Sequence, residues 1–344
     1  MMTIFMTYFA CGFMALAFCA QYYDITFNTY QEMREHLGEL YSHDKFSEAA
    51  DLLIWAREEF PDYLFNNTYN LILMYIRMEQ YEKGINALQY ALDRGIWYSP
   101  FLFEAELWKP LTELEGFENI RTQNETLRMK EQKKAKPDLL VVTPDNYVPE
   151  KTYPLFIALH GGSENIEIFK GRWKSQRMSQ EFITAYPQSS QVIVRNGFWW
   201  HGDIELARKE IAEAYQKIVS EYTVDRENVI IGGFSSGGLA ALEIVLSNVI
   251  PVTGFVALCP DWPESFTSEN VKDAKNRGVQ GVLITGKEDE RHELHNRMVG
   301  ILESEGLPHN YVILSDHGHN YPDDLDKLID QAIDQIRSIG IIEK

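Results

Sequence analysis

The stretch VIIGGFSSGGLAAL, residues 229–242, decides the fold. A run of β-branched apolar residues enters it, and a run of small, helix-favouring residues leaves it, with paired glycines on each side of two serines. This pattern predicts a buried strand, a very tight turn and a helix. We therefore expect one of the two serines to stand exposed at the turn.

The glycines distinguish the two serines, because residues 233–237 fit G-x-S-x-G only when Ser235 is central. A central Ser236 would need glycine at position 234, where Phe stands. Side chains two places either side of the central serine would collide in so tight a turn. We expect Ser235 to be a nucleophile in a strained backbone conformation, and the Ser236 amide to bind the oxyanion.

Strands alternate with helices from about residue 137 to the end of the sequence. Strands are predicted at 139–144, 154–159, 181–186, 191–195, 228–232, 253–259, 281–285 and 310–315. Helices are predicted at 204–221, 236–248, 291–305 and 323–338. The alternation predicts an α/β fold with a mainly parallel, doubly wound sheet, whose ligands bind at the carboxyl ends of the strands.

A second glycine-rich loop follows an earlier predicted strand, in LFIALHGGSEN at residues 155–165. Glycine lets the backbone approach a substrate closely and turn its N–H groups inward. We expect Gly162 to supply the second oxyanion donor, with Gly161 as the next choice. His160 is expected to hold the loop by hydrogen bonds rather than to act as a base.

A serine nucleophile needs a base and an orienting acid, which follow it in the chain order Ser, Asp/Glu, His. Two later strand ends supply candidates. GVLITGKEDERH, residues 281–292, offers Glu288, Asp289 and Glu290, whereas YVILSDHGHNYP, residues 311–322, offers Asp316, His317 and His319. The residues alone leave the choice open.

Four motifs resemble those of the α/β-hydrolase superfamily, in particular its small bacterial carboxylesterase, phospholipase and depolymerase-like esterases. They are LHGG at 159–162, YTVDRENVIIGGFSSGG at 222–238, TGKED at 285–289 and GHNYP at 318–322. The resemblance covers roughly residues 137–344 and implies an α/β-hydrolase fold. It implies Asp289 as the acid and His319 as the base, with Glu288 and His317 as their nearest alternatives.

The first half of the chain is helical in pattern from about residue 30 to 134, and it contains a repeat. Leu37 and Tyr41 recur 34 residues later as Leu71 and Tyr75; Phe46, Ala49, Leu53 and Ala56 recur 35 residues later as Tyr81, Gly84, Leu88 and Ala91. The pattern resembles tetratricopeptide repeats, with Pro61 ending a unit. Such a region either binds a protein or peptide partner or packs on the enzyme, and either a helical segment near residues 107–120 or the second half of the chain is expected to close it.

Composition limits the partners and the compartment. A net charge of −19 repels nucleic acid and anionic membrane surfaces. The three cysteines, Cys11, Cys19 and Cys259, form no disulfide framework, which favours a cytoplasmic location. Residues 1–20 carry no charge, so export or membrane anchoring is the alternative. The expected organisation is an apolar segment at 1–21, a helical domain at 22–135 and a hydrolase domain at 136–344.

Other side chains near the predicted site allow two further readings. Trp199, Trp200 and Trp262 follow predicted strands, so they either line a substrate pocket or pack in the core. A possible metal-ligand set comprises Glu288, Asp289, His292, His295, His317 and His319. His292 and His295 are three apart on a predicted surface helix, which favours a solvated helix face, and we expect neither metal nor cofactor.

These features together predict a serine hydrolase that cleaves a small-molecule ester through an acyl-enzyme intermediate. The same residues would also serve a thioester or peptide bond. A different possibility is a non-catalytic binding or scaffold protein that works through its helical repeats.

Overall fold

The computed structural model describes residues 27–339, so the expected apolar segment at 1–21 lies outside the described residues. Contacts within the chain divide it into two compact units, one ending at Lys130 and the other beginning at Glu131. None of the helices described between residues 27 and 339 combines the length and apolar character needed to cross a membrane.

The first unit is built from helices joined by short turns. Its helices are α1 (Tyr30–Ser42), α2 (Phe46–Glu59), α3 (Leu64–Arg77), α4 (Tyr81–Asp93), α5 (Lys109–Thr112) and α6 (Phe117–Gln132), the last of which ends just beyond the unit. Pro61 begins a short 3-10 turn between α2 and α3, because proline fits the first helical turn, where its missing N–H is not needed.

The repeat-related residues lie in the core of this unit. Ala49, Leu53, Leu88 and Ala91 are all buried. A Cβ atom at Gly84 would lie 3.0 Å from Cδ2 of Leu111, so the small residue makes room for α5 against α4. The predicted all-helical region is therefore present, while its likeness to tetratricopeptide repeats stays a prediction.

The second unit contains a seven-stranded sheet in the order β1-β3-β2-β6-β7-β8-β9. The strands are β1 (Asp138–Val142), β2 (Tyr153–Leu159), β3 (Ile183–Gln188), β4 (Gln191–Val194), β5 (Gly197–Trp199), β6 (Val224–Phe234), β7 (Gly254–Leu258), β8 (Gln280–Gly286) and β9 (His309–Leu314). Only the edge strand β1 runs antiparallel to its neighbour β3 in this sheet, and β4 and β5 form a separate two-stranded sheet.

Helices cover both faces of the sheet. They are α7 (Ile166–Arg172), α8 (Gln176–Glu181), α9 (Ile204–Glu221), α10 (Ser236–Leu246), α11 (Ser268–Asn276), α12 (His292–Glu305) and α13 (Leu325–Ile339). Successive residues of β2 supply the two cores alternately: Leu155 and Ile157 pack with α9 and α10, whereas Phe156 and Ala158 pack with α7 and α13. This double-sided burial explains the continuous apolar runs in the sequence.

The predicted α/β class and mostly parallel sheet are confirmed, with one difference in strand pairing. The segment predicted as a strand at 191–195 pairs with β5 outside the main sheet. Three helices, α7, α8 and α11, were absent from the prediction; they have nine residues or fewer, too few for a clear helical period.

Candidate active site

The turn between β6 and α10 holds Ser235 in a backbone conformation that few non-glycine residues adopt, with φ +52° and ψ −115°. Only glycine fits at the flanking positions 233 and 237, because a side chain at either would collide with the backbone of β2. A Cβ atom at Gly237 would lie 2.1 Å from the Leu159 carbonyl oxygen, and one at Gly233 would lie 2.5 Å from the same atom. The backbone of β2 therefore packs directly against the turn, and Ser235 remains partly exposed.

Ser235 belongs to a chain of hydrogen bonds at the carboxyl ends of β6, β8 and β9. Ser235 Oγ lies 2.9 Å from His319 Nε2, and His319 Nδ1 lies 2.8 Å from Asp289 Oδ2. Because a carboxylate can only accept, Nδ1 carries the proton and Nε2 accepts the serine hydroxyl. The imidazole thus has the tautomer and position required to take a proton from Ser235.

The alternatives that the sequence left open do not take part in this chain. Glu288 and Glu290 are exposed, whereas the Asp289 side chain between them is buried. His317 Nε2 lies 3.1 Å from the carbonyl oxygen of Asn320, within its own loop. Asp289 and His319 are therefore the acid and the imidazole that the structure brings to Ser235.

The surroundings of Asp289 keep its carboxylate ionised. Burial alone raises the pKa of Asp289, but hydrogen bonds from the Arg291 amide, His319 and the Cys259 thiol outweigh it and lower the pKa. Burial raises the pKa of the Cys259 thiol to about 12, so this thiol keeps the proton that it donates. The contact from Cys259, at the end of β7, had no sequence signal.

The backbone N–H groups of Ser236 and Gly162 lie beside Ser235, and neither donates a hydrogen bond to an acceptor in the described part of the chain. The two residues are neighbours, since a Cβ atom at Gly162 would lie 3.9 Å from Cβ of Ser236. Gly162 is also exposed, as a donor to a substrate must be. Together these amides can bind an oxygen that becomes negatively charged near Ser235.

The Gly161 amide is not available in the same way, because it donates to Glu164 Oε2 at 2.8 Å. Of the two predicted loop donors, only Gly162 retains a free N–H. His160 Nδ1 lies 2.8 Å from the Gly161 carbonyl oxygen, and its Nε2 accepts the Ser189 N–H at 3.2 Å. Burial lowers the pKa of His160 to about 4, so it holds the loop as a neutral ring.

The second serine anchors the segment that follows β5. Ser236 Oγ accepts the Trp200 N–H at 2.8 Å and lies 3.3 Å from His201 Nδ1. Trp200 is completely buried, with its indole N–H donating to the His160 carbonyl oxygen at 3.1 Å. Trp200 therefore packs in the core beside the site, which is the second of the two roles that the sequence left open for it.

The other two tryptophans are half-buried. The Trp199 ring lies 4.2 Å from the ring of His201. The Trp262 ring packs 5.2 Å from Phe266 and beneath the guanidinium of Arg297. Both are accessible enough to contact a substrate, so their role as pocket residues stays a prediction.

Glu164 and Tyr321 also belong to the site, although the motifs that contain them, residues 155–165 and 318–322, did not mark them as functional residues. Glu164 Oε2 accepts the Tyr321 hydroxyl at 2.6 Å in addition to the Gly161 N–H. This contact links the loop after β2 to the loop that carries His319. The spacing of Glu164 from the two glycines was visible, but its partner lies 157 residues away.

The possible metal ligands do not come together as the sequence grouped them. Across residues 27–339, the one group close enough to share an ion is Cys259, Asp289 and His319, whose ligand atoms lie within 4.8 Å of one another. These atoms already form the proton chain just described.

The prediction of a solvated face for His295 is wrong. This side chain is fully buried, with Nε2 2.9 Å from the Pro260 carbonyl oxygen and Nδ1 2.7 Å from Thr285 Oγ1. Burial lowers the pKa of His295, so it is a neutral core residue. It fixes the start of α12 against the ends of β7 and β8.

A strained serine between β6 and α10, with histidine and aspartate at the carboxyl ends of neighbouring parallel strands, defines a serine hydrolase of the α/β-hydrolase fold. A family model described as Phospholipase/Carboxylesterase matches residues 153–333. The chain belongs to this family and is a serine ester hydrolase. A comparison with curated proteins gives no significant match.

Several solved structures are similar to this chain. An uncharacterized protein from Bacillus cereus ATCC 10987 is 27% identical, with a TM-score of 0.51, and the match covers 90% of this chain and 99% of that chain. A phospholipase/carboxylesterase from Dyadobacter fermentans is 16% identical, with a TM-score of 0.46 and coverage of 58% and 97%. S-formylglutathione hydrolase from Staphylococcus aureus is 15% identical, with a TM-score of 0.43 and coverage of 58% and 92%. The Bacillus cereus match extends over both units of the chain.

Proposed function

We propose that this enzyme cleaves carboxylic esters of small molecules through a Ser235-His319-Asp289 triad and an acyl-enzyme intermediate. The hydrogen-bond chain from Ser235 Oγ through the imidazole of His319 to the buried Asp289 carboxylate carries this proposal. No cofactor takes part in the proposed reaction.

In the first half of the reaction, Ser235 Oγ attacks the ester carbonyl carbon while His319 Nε2 takes the hydroxyl proton. The carbonyl oxygen becomes an anion, which the Ser236 and Gly162 amides stabilise. His319 then gives its proton to the alcohol oxygen as the carbon–oxygen bond breaks, so that the alcohol leaves neutral. Ser235 remains joined to the acyl group as an ester.

Water completes the cycle by the same groups. His319 takes a proton from water, whose oxygen attacks the acyl carbon, and the proton returns to Ser235 Oγ when the acid leaves. Asp289 holds Nδ1–H of His319 throughout and stabilises the imidazolium that forms twice in each turnover. Its lowered pKa keeps it ionised, as this task requires.

The test is hydrolysis of p-nitrophenyl acetate, butyrate and octanoate by the wild type and by Ser235→Ala, His319→Ala and His317→Ala. We expect Ser235→Ala and His319→Ala to lose about 10⁴-fold or more of kcat, since members of a triad act as one unit. His317→Ala is the matched control and keeps wild-type kcat. Equal hydrolysis by Ser235→Ala and the wild type would contradict the proposal.

Two other outcomes separate the alternative functions. If the enzyme cleaves an acyl thioester far faster than the oxygen esters, its substrates are thioesters, and the proposed triad is unchanged. A folded wild type that neither cleaves these substrates nor reacts with a fluorophosphonate would instead favour a binding protein.

A further inference from the structure

Glu164 is a buried carboxylate whose two oxygens both make charged or short hydrogen bonds. Oε2 accepts the Gly161 N–H at 2.8 Å and the Tyr321 hydroxyl at 2.6 Å, while Oε1 accepts from Arg172 Nη1 at 2.7 Å. The proposed reaction uses none of these atoms. Glu164 nevertheless joins three segments: the loop after β2, the end of α7 and the loop after β9.

On one side, Glu164 acts on the loop that presents the Gly162 amide. It holds the N–H of Gly161, and His160 Nδ1–H holds the carbonyl oxygen of Gly161. The Gly161 carbonyl and the Gly162 N–H belong to one planar trans peptide group, so they point in opposite directions. The bond from His160 therefore sets the direction of the Gly162 N–H, while the bond to Glu164 holds the preceding peptide group, between His160 and Gly161, from which that direction follows.

On the other side, Glu164 acts on the loop that presents the imidazole. Tyr321 follows His319 by two residues, and its ring lies 4.3 Å from the Phe234 ring, which lies 5.0 Å from the His319 ring. Burial and the Glu164 carboxylate raise the pKa of Tyr321, so its hydroxyl keeps the proton that it donates. The contact with Glu164 thus fixes the stack beside His319.

We propose that Glu164 is a positioning residue for ester hydrolysis, holding the Gly162 amide and the His319 imidazole in one arrangement around Ser235. This inference rests on the function proposed above. The packing supports it, because a Cβ atom at Gly161 would lie 2.9 Å from Glu164 Oε2 and 2.8 Å from Phe234 Cδ1. The loop, the carboxylate and the aromatic stack therefore constrain one another.

Glutamine at position 164 is the sharpest substitution, since it keeps the shape and one acceptor oxygen. The NH₂ group of glutamine would replace one of the two carboxylate oxygens. It would then face either the Arg172 guanidinium or the Gly161 N–H and the Tyr321 hydroxyl, all of which are donors, so at least one hydrogen bond is lost. Tyr321→Phe is a second variant, which removes only the hydroxyl. Glu167→Gln is the matched control: it makes the same change on an exposed carboxylate of α7, paired there with Lys170.

The experiment measures kcat and KM for p-nitrophenyl acetate, the rate of fluorophosphonate labelling and the unfolding temperature. We expect Glu164→Gln to lower kcat by about 10–100-fold, less than removal of an oxyanion donor costs. Its KM should stay within about twofold, because the interaction acts on the transition state. Labelling should slow in parallel, while Glu167→Gln matches the wild type.

Tyr321→Phe should lower kcat by a smaller factor, because it removes only one of the three hydrogen bonds that Glu164 accepts. The double variant with Glu164→Gln should lose less than the product of the two single losses, because both changes weaken one link.

A different result would overturn the inference. If Glu164→Gln unfolds at a lower temperature while its folded form keeps wild-type kcat and labelling rate, Glu164 is only a structural residue. Failure of the proposed function looks different, since the wild type itself would then be neither active nor labelled, or Ser235→Ala would match it. That outcome overturns both proposals.

Discussion

The nucleophile turn at residues 233–237 and the loop at residues 160–164 each supply one amide to the proposed oxyanion site, but they are held by different means. In the turn, backbone packing leaves no room for side chains: Cβ atoms at Gly233 and Gly237 would collide with the Leu159 carbonyl oxygen. In the loop, hydrogen bonds from buried side chains fix the peptide groups.

The difference shows two ways to prepare a backbone amide before substrate arrives. A turn fixed by packing is a property of a short contiguous motif, and any side chain added to it must displace the main chain. A loop fixed by side chains depends on residues elsewhere, since Ser189 sets the tautomer of His160 while Arg172 and Tyr321 hold Glu164. Substitutions in the turn should therefore mainly destabilise the fold, whereas substitutions in the loop should mainly slow turnover.

The largest effect is expected from Gly237→Ala in the turn. The added methyl carbon would lie 2.1 Å from one carbonyl oxygen and 2.5 Å from another, so the backbone of β2 must move. We expect a loss of more than about 4 kcal/mol in the free energy of unfolding, or no soluble protein. Chemical denaturation measures it, with Gly300→Ala as control, since nothing lies within 4 Å of a Cβ atom there. If Gly237→Ala were as stable as Gly300→Ala, backbone packing would not be what fixes the turn.

The next effect concerns the pH dependence of stability and belongs to the loop. The pKa of His160 is about 4 in the folded protein, against 6.5 for an ordinary histidine, because burial disfavours its charged form. Between these pH values the unfolded chain binds the additional proton. His160 therefore contributes stability above pH about 6.5 that is lost as pH falls towards 4, by about 3 kcal/mol in total.

Urea denaturation at pH 7 and pH 4 tests this, with His160→Asn for comparison. Asparagine retains a donor for the Gly161 carbonyl but does not titrate, so its stability should fall less between the two pH values. If the wild type and His160→Asn lose the same free energy of unfolding between pH 7 and pH 4, burial does not lower the pKa of His160 in the folded protein.

A smaller effect, on turnover, is expected from His160→Leu. Leucine fills the space but releases the Gly161 carbonyl, so the Gly162 amide is no longer held in direction. We expect kcat to fall by about 10–100-fold with little change in KM, and His160→Asn to restore part of the loss. Steady-state kinetics on p-nitrophenyl acetate give both constants. If His160→Leu lowers the stability but not kcat, His160 does not orient the Gly162 amide.

The smallest effect is expected from Ser236→Ala, because the backbone amide of residue 236 remains. The hydroxyl that accepts the Trp200 N–H is lost, leaving a buried donor unpaired at a cost of about 1–3 kcal/mol in stability. We expect kcat to fall by less than about tenfold, far less than for Ser235→Ala. A loss equal to that of Ser235→Ala would make the Ser236 hydroxyl part of the chemistry.

The contrast between turn and loop also explains how far the sequence could predict the site. The turn and the strands around it could be read because their signals are contiguous: β-branched runs, paired glycines and a helix-favouring run. The choice of Asp289 over Glu288 depends on burial, which neighbouring carboxylates in a sequence do not show. The spacing of Glu164 from the two glycines was visible, but its role was not, because that role arises from contacts with Arg172 and Tyr321 that only folding creates.

One error and one open choice have the same cause. His295 was assigned to a solvated helix face, but the ends of β7 and β8 cover it and give it two buried partners. For Trp200 the sequence left pocket and core open, and its indole N–H donates to the backbone of His160 within the core. In both cases tertiary contacts, which the local pattern does not show, decided the environment.

The most direct test of the central claim is intact-mass and peptide analysis after reaction with a fluorophosphonate. The serine triad predicts one phosphonyl group per chain, attached at Ser235, and no labelling of Ser235→Ala or of protein unfolded before the reaction. Labelling at Ser236, or none in the folded wild type, would contradict the assignment of Ser235 as the nucleophile.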